Sequence, residues 1–151
     1  IKYIMGGGIF QDCDTSIESI EDMEKVCVFH DITRYIEDIN NCWIIAKHLR
    51  SNAIAIFKCG QLLSASSGFT SRIDAIKWAI TKAADRNHDI RGAVLASDGF
   101  FPFTDCVEQA FNAGIDIIIA PSGSIRDNEI ISYCQQKKIT LLMPRKRHFK
   151  H

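Results

Sequence analysis

From residue 93 onward one pattern repeats, and that repetition limits the folds open to this chain. Ala93-Val94-Leu95-Ala96 is an apolar run of strand length, Asp105 with Glu108 three residues on reads as a capping box opening a helix, and Gly114 ends it. Ile115-Asp116-Ile117-Ile118-Ile119 is a second strand, Ala120-Pro121-Ser122-Gly123 a loop, and Ser124 with Asp127 caps a helix to about Lys137. Ile139-Thr140-Leu141-Leu142-Met143 is a third strand, followed by Pro144 and a basic tail. Strand, helix, strand, helix, strand at this spacing predicts parallel strands joined by right-handed crossovers. Parallel order sends the three post-strand segments, Ser97 to Asp105, Ala120 to Ser124 and Pro144 to His151, to one carboxyl edge, where open α/β sheets bind ligands.

The first of those segments has an unusual composition. Ser97-Asp98-Gly99-Phe100-Phe101-Pro102-Phe103-Thr104-Asp105 places three rings and a proline between two carboxylates, and Gly99 and Pro102 break it for any strand or helix interior. It reads either as an aromatic plug under a loop or as a binding loop. With Arg147 and its neighbours at the same edge, the second reading offers flat apolar surface, carboxylates at Asp98 and Asp105, and guanidinium donors. That set matches a ligand with an aromatic ring and an anionic group such as phosphate. A purely structural edge is the alternative.

The earlier chain supplies the rest of the core. Residues 3 to 10 look like a strand broken by three glycines, and no G-x-x-x-x-G-K-[ST] follows to make a phosphate loop. Gln11 to Glu24 reads as an exposed acidic connection and Val26-Cys27-Val28-Phe29 as a short strand. Ile36, Ile39, Trp43 and Ala46 recur at helical spacing between Thr33 and Leu49. Lys47-His48 lies in that helix; adjacent helical residues point about 100° apart, so the pair reads as two solvated side chains. Residues 53–58 and 61–66 form a hairpin. A helix through about Asp85 then opens at Thr70 or Ser71, with Ile73, Ile76, Ala79, Ile80 and Ala83 inward. Its free amides beside Ser71 and Arg72 could alternatively hold an anion.

Composition narrows the classes. At 46% apolar and 24% charged over 151 residues, the chain suits one globular domain. No run of 18 apolar residues and no basic-then-apolar start exists, so neither a membrane span nor a secretory signal is expected. The six cysteines are scattered without a C-x-x-C pair and read as reduced thiols of a cytoplasmic protein. Net charge is zero but uneven: residues 145 to 151 hold four of the 18 basic groups and no acid, leaving 14 basic against 18 acidic elsewhere. Neutrality argues against general nucleic-acid binding. A start at Ile1 rather than Met reads as a fragment or a processed chain.

Several blocks, taken in order, are recognisable together. They are Gly6-Gly7-Gly8-Ile9-Phe10-Gln11-Asp12, the helix from Trp43 into Arg50-Ser51-Asn52, Lys58-Cys59-Gly60-Gln61 and Ser71-Arg72. Ser97-Asp98-Gly99-Phe100-Phe101-Pro102-Phe103, Pro121-Ser122-Gly123-Ser124 and Arg147-His148-Phe149-Lys150-His151 complete the set. Over essentially its whole length the chain resembles the C-terminal half of the transformylase region in the bifunctional purine biosynthesis family that joins AICAR transformylase to IMP cyclohydrolase. The resemblance implies that residues 1–151 form an α/β, cytidine-deaminase-like subdomain, with a mainly parallel sheet, flanking helices and an N-terminal hairpin. It implies transfer of a formyl group from 10-formyltetrahydrofolate to the 5-amino group of AICAR, in a homodimer with active sites at the subunit interface. Asn52 and Phe100 would orient the AICAR carboxamide and Arg147 would contact its phosphate. Ile73, Pro102, Phe103 and Asp105 would line the folate side, with Ser71, Arg72, Asp98 and Ser124 in support. His151 would help fix the tail close to where the family holds a monovalent cation such as potassium.

The departures bear on chemistry. Ser66-Ser67-Gly68-Phe69 replaces the family's Gly-Ala-Gly-Gln, Gly99 its usual Ala, and Arg50 its usual Lys. The family's catalytic Lys-His lies in a Lys-His-x-Asn-Pro motif of the first transformylase half, which is absent here, as is the cyclohydrolase domain. Lys47-His48 precedes Leu49-Arg50-Ser51-Asn52 and does not substitute for it, so no catalytic residue is expected on this chain. Zinc chemistry on such a fold needs H-x-E and P-C-x-x-C; neither occurs, so no metal of that kind is expected. The alternative reading is a non-catalytic nucleotide-binding or protein-interaction module that keeps the fold.

Overall fold

In the computed structural model, which describes residues 2–16 and 18–151 and only the backbone of Lys2 and Ile9, one sheet divides two apolar layers. The chain begins with a separate antiparallel hairpin, β1 (Lys2–Ile4) and β2 (Gly7–Ile9). The glycine-broken strand expected over residues 3 to 10 is therefore two short strands, folded back where Gly6 takes a φ of +86°. There follow β3 (Glu24–Cys27), a 3-10 turn (Ile32–Tyr35), α1 (Ile36–His48), β4 (Ile54–Lys58), β5 (Gln61–Ser66) and α2 (Arg72–Asp85). The repeating part is β6 (Val94–Ser97), α3 (Asp105–Asn112), β7 (Ile117–Ile119), α4 (Asp127–Lys137) and β8 (Thr140–Met143).

The main sheet has the order β3-β8-β7-β6-β4-β5. β6, β7 and β8 pair in parallel, as the strand-helix repeat predicts. β4 is antiparallel to both its neighbours and β3 to β8, so four of the six strands point one way and two the other. This is an α/β fold with a mixed, mostly parallel sheet.

Strand periodicity explains the two layers. Successive side chains on a strand face opposite sides, so Ile54 and Ile56 join one cluster while Ala55 and Phe57 join the other. Likewise Leu95, Ile118 and Leu141 face α2, α3 and α4, whereas Val94, Ala96, Ile117, Ile119 and Leu142 face α1. The layer on the α1 side is built on Ile39, Cys42, Trp43 and Ala46. Two crossovers that step in the same direction along the sheet put α3 and α4 on the same face. All six cysteines are free thiols; Cys106 and Cys134, in the core, have their pKa pushed by burial up to about 12. Among the described residues no helix is long and apolar enough to cross a membrane.

Three local expectations differ from the structure. Asp105 does not cap α3: Thr104 is the cap residue and makes no side-chain bond, while Asp105 and Glu108 both lie in the first turn, where their charge favours the helix N-terminus. At α4 the roles are reversed. Asp127 accepts from the amides of Gly123 (2.8 Å) and Ser124 (3.2 Å), and Ser124 Oγ accepts from Arg126 N at 3.1 Å, so the carboxylate within the helix organises the loop before it. Finally, the aromatic loop is not one surface: Phe101 is 1% exposed in the main cluster, whereas Phe103 is 50% exposed.

That split sets an expectation for stability. Phe101→Ala should lose about 3–5 kcal/mol through burial lost and cavity left. Phe103→Ala, which removes only an exposed ring beneath Arg126, should stay within about 1 kcal/mol. Urea unfolding of the two variants measures both.

Candidate functional site

At the carboxyl end of β6 the chain buries a charge. Asp98 is fully buried; its Oδ1 accepts from Ala53 N at 2.9 Å and pairs with the guanidinium of Arg72, itself only 8% exposed. Arg72 Nη1 also donates to Ser97 Oγ at 2.8 Å and Nη2 to Asn52 Oδ1 at 2.7 Å. Asn52 donates through Nδ2 to Phe69 O at 3.0 Å, and Ser97 Oγ donates to Gly99 O at 2.8 Å. Arg72 thus ties together the segment before β4, the start of α2 and the end of β6. It is turned inward, which removes it from the anion site considered at the start of α2. Ser71 there serves as the cap, its Oγ accepting from Asp74 N. Asp98 likewise faces the interior and not the ligand edge.

Residues 147–151 lie against this network. His148 N donates to Asp98 O at 2.9 Å and Ser51 N donates to Lys150 O at 3.0 Å. From the other side, Gln11 Nε2 donates to Phe149 O, and His151 N donates to Gln11 Oε1 at 3.1 Å. The His148 ring is 1% exposed, packed on Trp43 with centroids 4.5 Å apart, and its Nδ1 meets Asp14 Oδ2. Asp14 also accepts from Ser16 N and Oγ and lies 3.8 Å from Lys47 Nζ, which donates to Ser16 O. Burial raises the Asp14 pKa, but the bonds from Ser16 and His148 outweigh it and hold the carboxyl at about 2.

Sequence reasoning missed this cluster. Gln11 and Asp14 lie in the stretch expected to be an exposed connection and are exposed, yet both bond to the tail; Lys47, expected to be solvated, has a side chain only 11% exposed. His48 is exposed, as expected. The signal lies in a histidine between Arg147 and Phe149, since a ring drawn into the core needs a polar partner for its N–H, but nothing in the spacing says which acidic residue supplies it. Around this junction opens a cleft of ≈ 320 Å³ lined by residues including Lys47, His48, His148, Phe149 and His151.

The expected ligand contacts are distributed along the carboxyl edge. Asn52, Arg72 and Asp98 share the buried network. Phe100, half-buried, reaches the second loop: its ring lies 3.8 Å from where a Cβ on Gly123 would stand. Phe103 carries the Arg126 guanidinium 4.8 Å from its ring centre, and Pro102 beside it is half-buried. Ile73 packs against the core from the first turn of α2, Asp105 opens α3, and Ser124 lies in the loop that Asp127 holds before α4. Arg147 is exposed, its guanidinium 4.6 Å from the centre of the Phe149 ring. Phe149 reaches Gly99, where a Cβ would stand 2.6 Å from the Phe149 ring and 2.7 Å from Arg72 Nη2. Of the expected contacts only His151 lines the 320 Å³ cleft; Asn52, Arg72 and Asp98 lie in the network beneath the edge, and the others along its open rim.

The sequence profile of the AICARFT/IMPCHase bienzyme family matches residues 1–82. Among curated relatives, the bifunctional purine biosynthesis protein PurH of Aquifex aeolicus is 40% identical over 151 residues, covering 100% of this chain and 29% of the relative. PurH of Bacteroides thetaiotaomicron is 41% identical over 99% of this chain and 30% of its own length, and PurH of Prochlorococcus marinus 44% identical over 99% and 28%. The chain therefore spans less than a third of the length of these relatives. Among solved structures, the dCMP deaminase of cyanophage S-TIM5 overlaps 59% of this chain and 76% of its own, with a TM-score of 0.45 and 20% identity. A diaminohydroxyphosphoribosylaminopyrimidine deaminase/reductase of Thermotoga maritima overlaps 74% and 36%, with a TM-score of 0.46 and 17% identity.

Two outcomes follow from the geometry. Arg72→Met strands the Asp98 carboxylate in the interior and should cost about 3–5 kcal/mol, while adding Asp98→Asn should recover part of that loss, both read by urea unfolding. Asp14 ionises more readily folded than unfolded, so its contribution is present above its ordinary pKa of 3.8 and is lost as pH falls through about 2. The stability gap between the native chain and Asp14→Asn should therefore be flat above about pH 5 and shrink between pH 4 and 2, measured by acid titration of thermal unfolding.

Proposed function

Because the chain belongs to the AICARFT/IMPCHase bienzyme family, we propose that it is the C-terminal, deaminase-like part of an AICAR transformylase. Its role is to hold AICAR and 10-formyltetrahydrofolate for formyl transfer in purine biosynthesis. The observation that carries this reading is the convergence of the family's substrate-contacting blocks on one sheet edge. The aromatic loop after β6, the Pro121–Ser124 loop after β7 and the Arg147 segment after β8 meet there through Phe100, Gly123, Gly99 and Phe149.

In this reading Asn52 and Phe100 orient the carboxamide end of AICAR. Asn52 suits the task because its Oδ1 and Nδ2 are both engaged, which fixes the side chain before substrate arrives. Arg147 takes the phosphate: its guanidinium is exposed and, among the described residues, has no carboxylate within salt-bridge distance. Ile73, Pro102, Phe103 and Asp105 face the folate. The contribution of this chain is positioning and electrostatic stabilisation, and the proton is moved by a Lys-His pair elsewhere in the full polypeptide, since no Lys-His-x-Asn-Pro occurs here. An open edge in place of an enclosed pocket accords with a site completed by another part of the polypeptide or by a second subunit of a homodimer.

The monovalent cation expected of the family takes oxygen ligands. Asp98 Oδ2 is buried without a protein partner among the described residues, so an anionic oxygen suited to it stands beside the tail. Because Arg72 already balances the Asp98 charge, such an ion would add a ligand to that oxygen and brace the segment around His148 and His151.

Calorimetry with AICAR tests the reading. The chain should bind the nucleotide, and Arg147→Ala should weaken binding by roughly 10- to 100-fold, the worth of a charged hydrogen-bonded contact to phosphate. The chain by itself should give no tetrahydrofolate release, and mixing it with the complementary transformylase region should restore release. A folded chain that binds no AICAR would instead indicate a non-catalytic module.

A further inference from the structure

We infer that Asp14, acting through His148, is a positioning residue for Arg147 and so for the phosphate end of the nucleotide. The inference rests on the proposed reading of Arg147 as the phosphate contact.

Arg147 makes no hydrogen bond or ion pair that would fix it among the described residues; its close neighbour is the Phe149 ring. Its placement therefore comes from the residues on either side. Burial along the segment peaks at His148: Arg147 is exposed, His148 buried, Phe149 half-buried and Lys150 exposed. His148 is the anchor. Its amide is bonded to Asp98 O, its ring packs on Trp43 at a tilt of 47°, and Nδ1 meets Asp14. The first two contacts leave open which way the ring is flipped about its Cβ–Cγ bond. The third is the contact that selects one orientation, because a carboxylate fixes which ring nitrogen faces it.

Asp14 is itself held on more than one side. It accepts from Ser16 N at 3.1 Å and Ser16 Oγ at 2.6 Å, and Lys47 Nζ from α1 stands 3.8 Å away. It thereby joins α1 and the segment before β3 to the residue next to Arg147. Asp14 lines the 320 Å³ cleft and Arg147 does not, so the path inferred from Asp14 to Arg147 runs through the imidazole of His148. Its loss should be felt by the phosphate group and hardly by the base or ribose.

The test compares AICAR with its phosphate-free nucleoside by calorimetry, using the whole chain. In the native protein the nucleotide should bind more tightly, and Arg147→Ala should abolish that preference. Asp14→Ala should cut the nucleotide-to-nucleoside affinity ratio by about tenfold while leaving nucleoside affinity within about twofold. Asp14→Asn, whose Oδ1 still accepts from the ring N–H, should restore most of the ratio. A general structural role would weaken both ligands together and would not distinguish them. If Asp14→Ala fails to fold, Asp14→Ser, whose hydroxyl is too short to reach the ring, carries the same comparison. Collapse of the ratio in Arg147→Ala with a native ratio in the Asp14 variants overturns the positioning role and leaves the proposed function standing. A native chain without nucleotide preference, or an Arg147→Ala that keeps it, overturns the phosphate assignment and this inference together.

Discussion

The carboxyl edge of the sheet depends on one buried ion pair, Arg72 with Asp98. A charge with no exposed surface is tolerable only when its field is answered, and here the guanidinium spans Ser97, Asp98 and Asn52 at once. Arg suits this because its planar fork offers several donors in fixed directions, which a lysine ammonium on a flexible stem does not. The consequence is geometric more than energetic. The end of β6, the segment before β4 and the first turn of α2 are held in one arrangement, and Asn52 is fixed as a by-product.

The tail is built onto that arrangement. Its contacts come in two rows, His148 and Lys150 bonding inward to Asp98 and Ser51, and Phe149 and His151 bonding outward to Gln11. A segment without regular secondary structure leaves its backbone groups to find partners elsewhere. These two rows supply them, one with Ser51 and Asp98 from the middle of the chain and the other with Gln11 from near its start. The exposed Arg147 is thus carried on a segment that the rest of the fold determines closely.

The repeat after residue 93 was legible because alternating apolar runs and helix-start signals have few solutions, and the parallel strands β6, β7 and β8 follow from it. The antiparallel placement of β3 beside β8 was not, since a four-residue strand carries no mark of its partner. Cap assignments failed at Asp105 and Asp127 for a related reason. An acidic residue near a helix start satisfies the dipole from several positions, and only the loop geometry chooses among them. Within the site, residue types were easier to read than directions. Arg72 and Asp98 stood out in the sequence, yet they point at each other, and the Asp14, Lys47 and His148 cluster joins parts of the chain that no local pattern relates.

Gly99 shows how closely these parts are coupled. The family pattern has Ala at this place, but a Cβ here would stand 2.6 Å from the Phe149 ring and 2.7 Å from Arg72 Nη2, closer than a methyl group tolerates. Both obstacles are the far ends of side chains, so either could in principle give way. They are not equally free. Arg72 is held by its bonds to Ser97, Asp98 and Asn52, and moving it would expose a buried carboxylate to an apolar surround. Phe149 is half-buried and can swing outward at far smaller cost, taking with it the ring on which Arg147 rests. The glycine therefore lets Phe149 pack directly on the Arg72 network, and this departure from the family pattern sits on the short path between the buried ion pair and the exposed arginine.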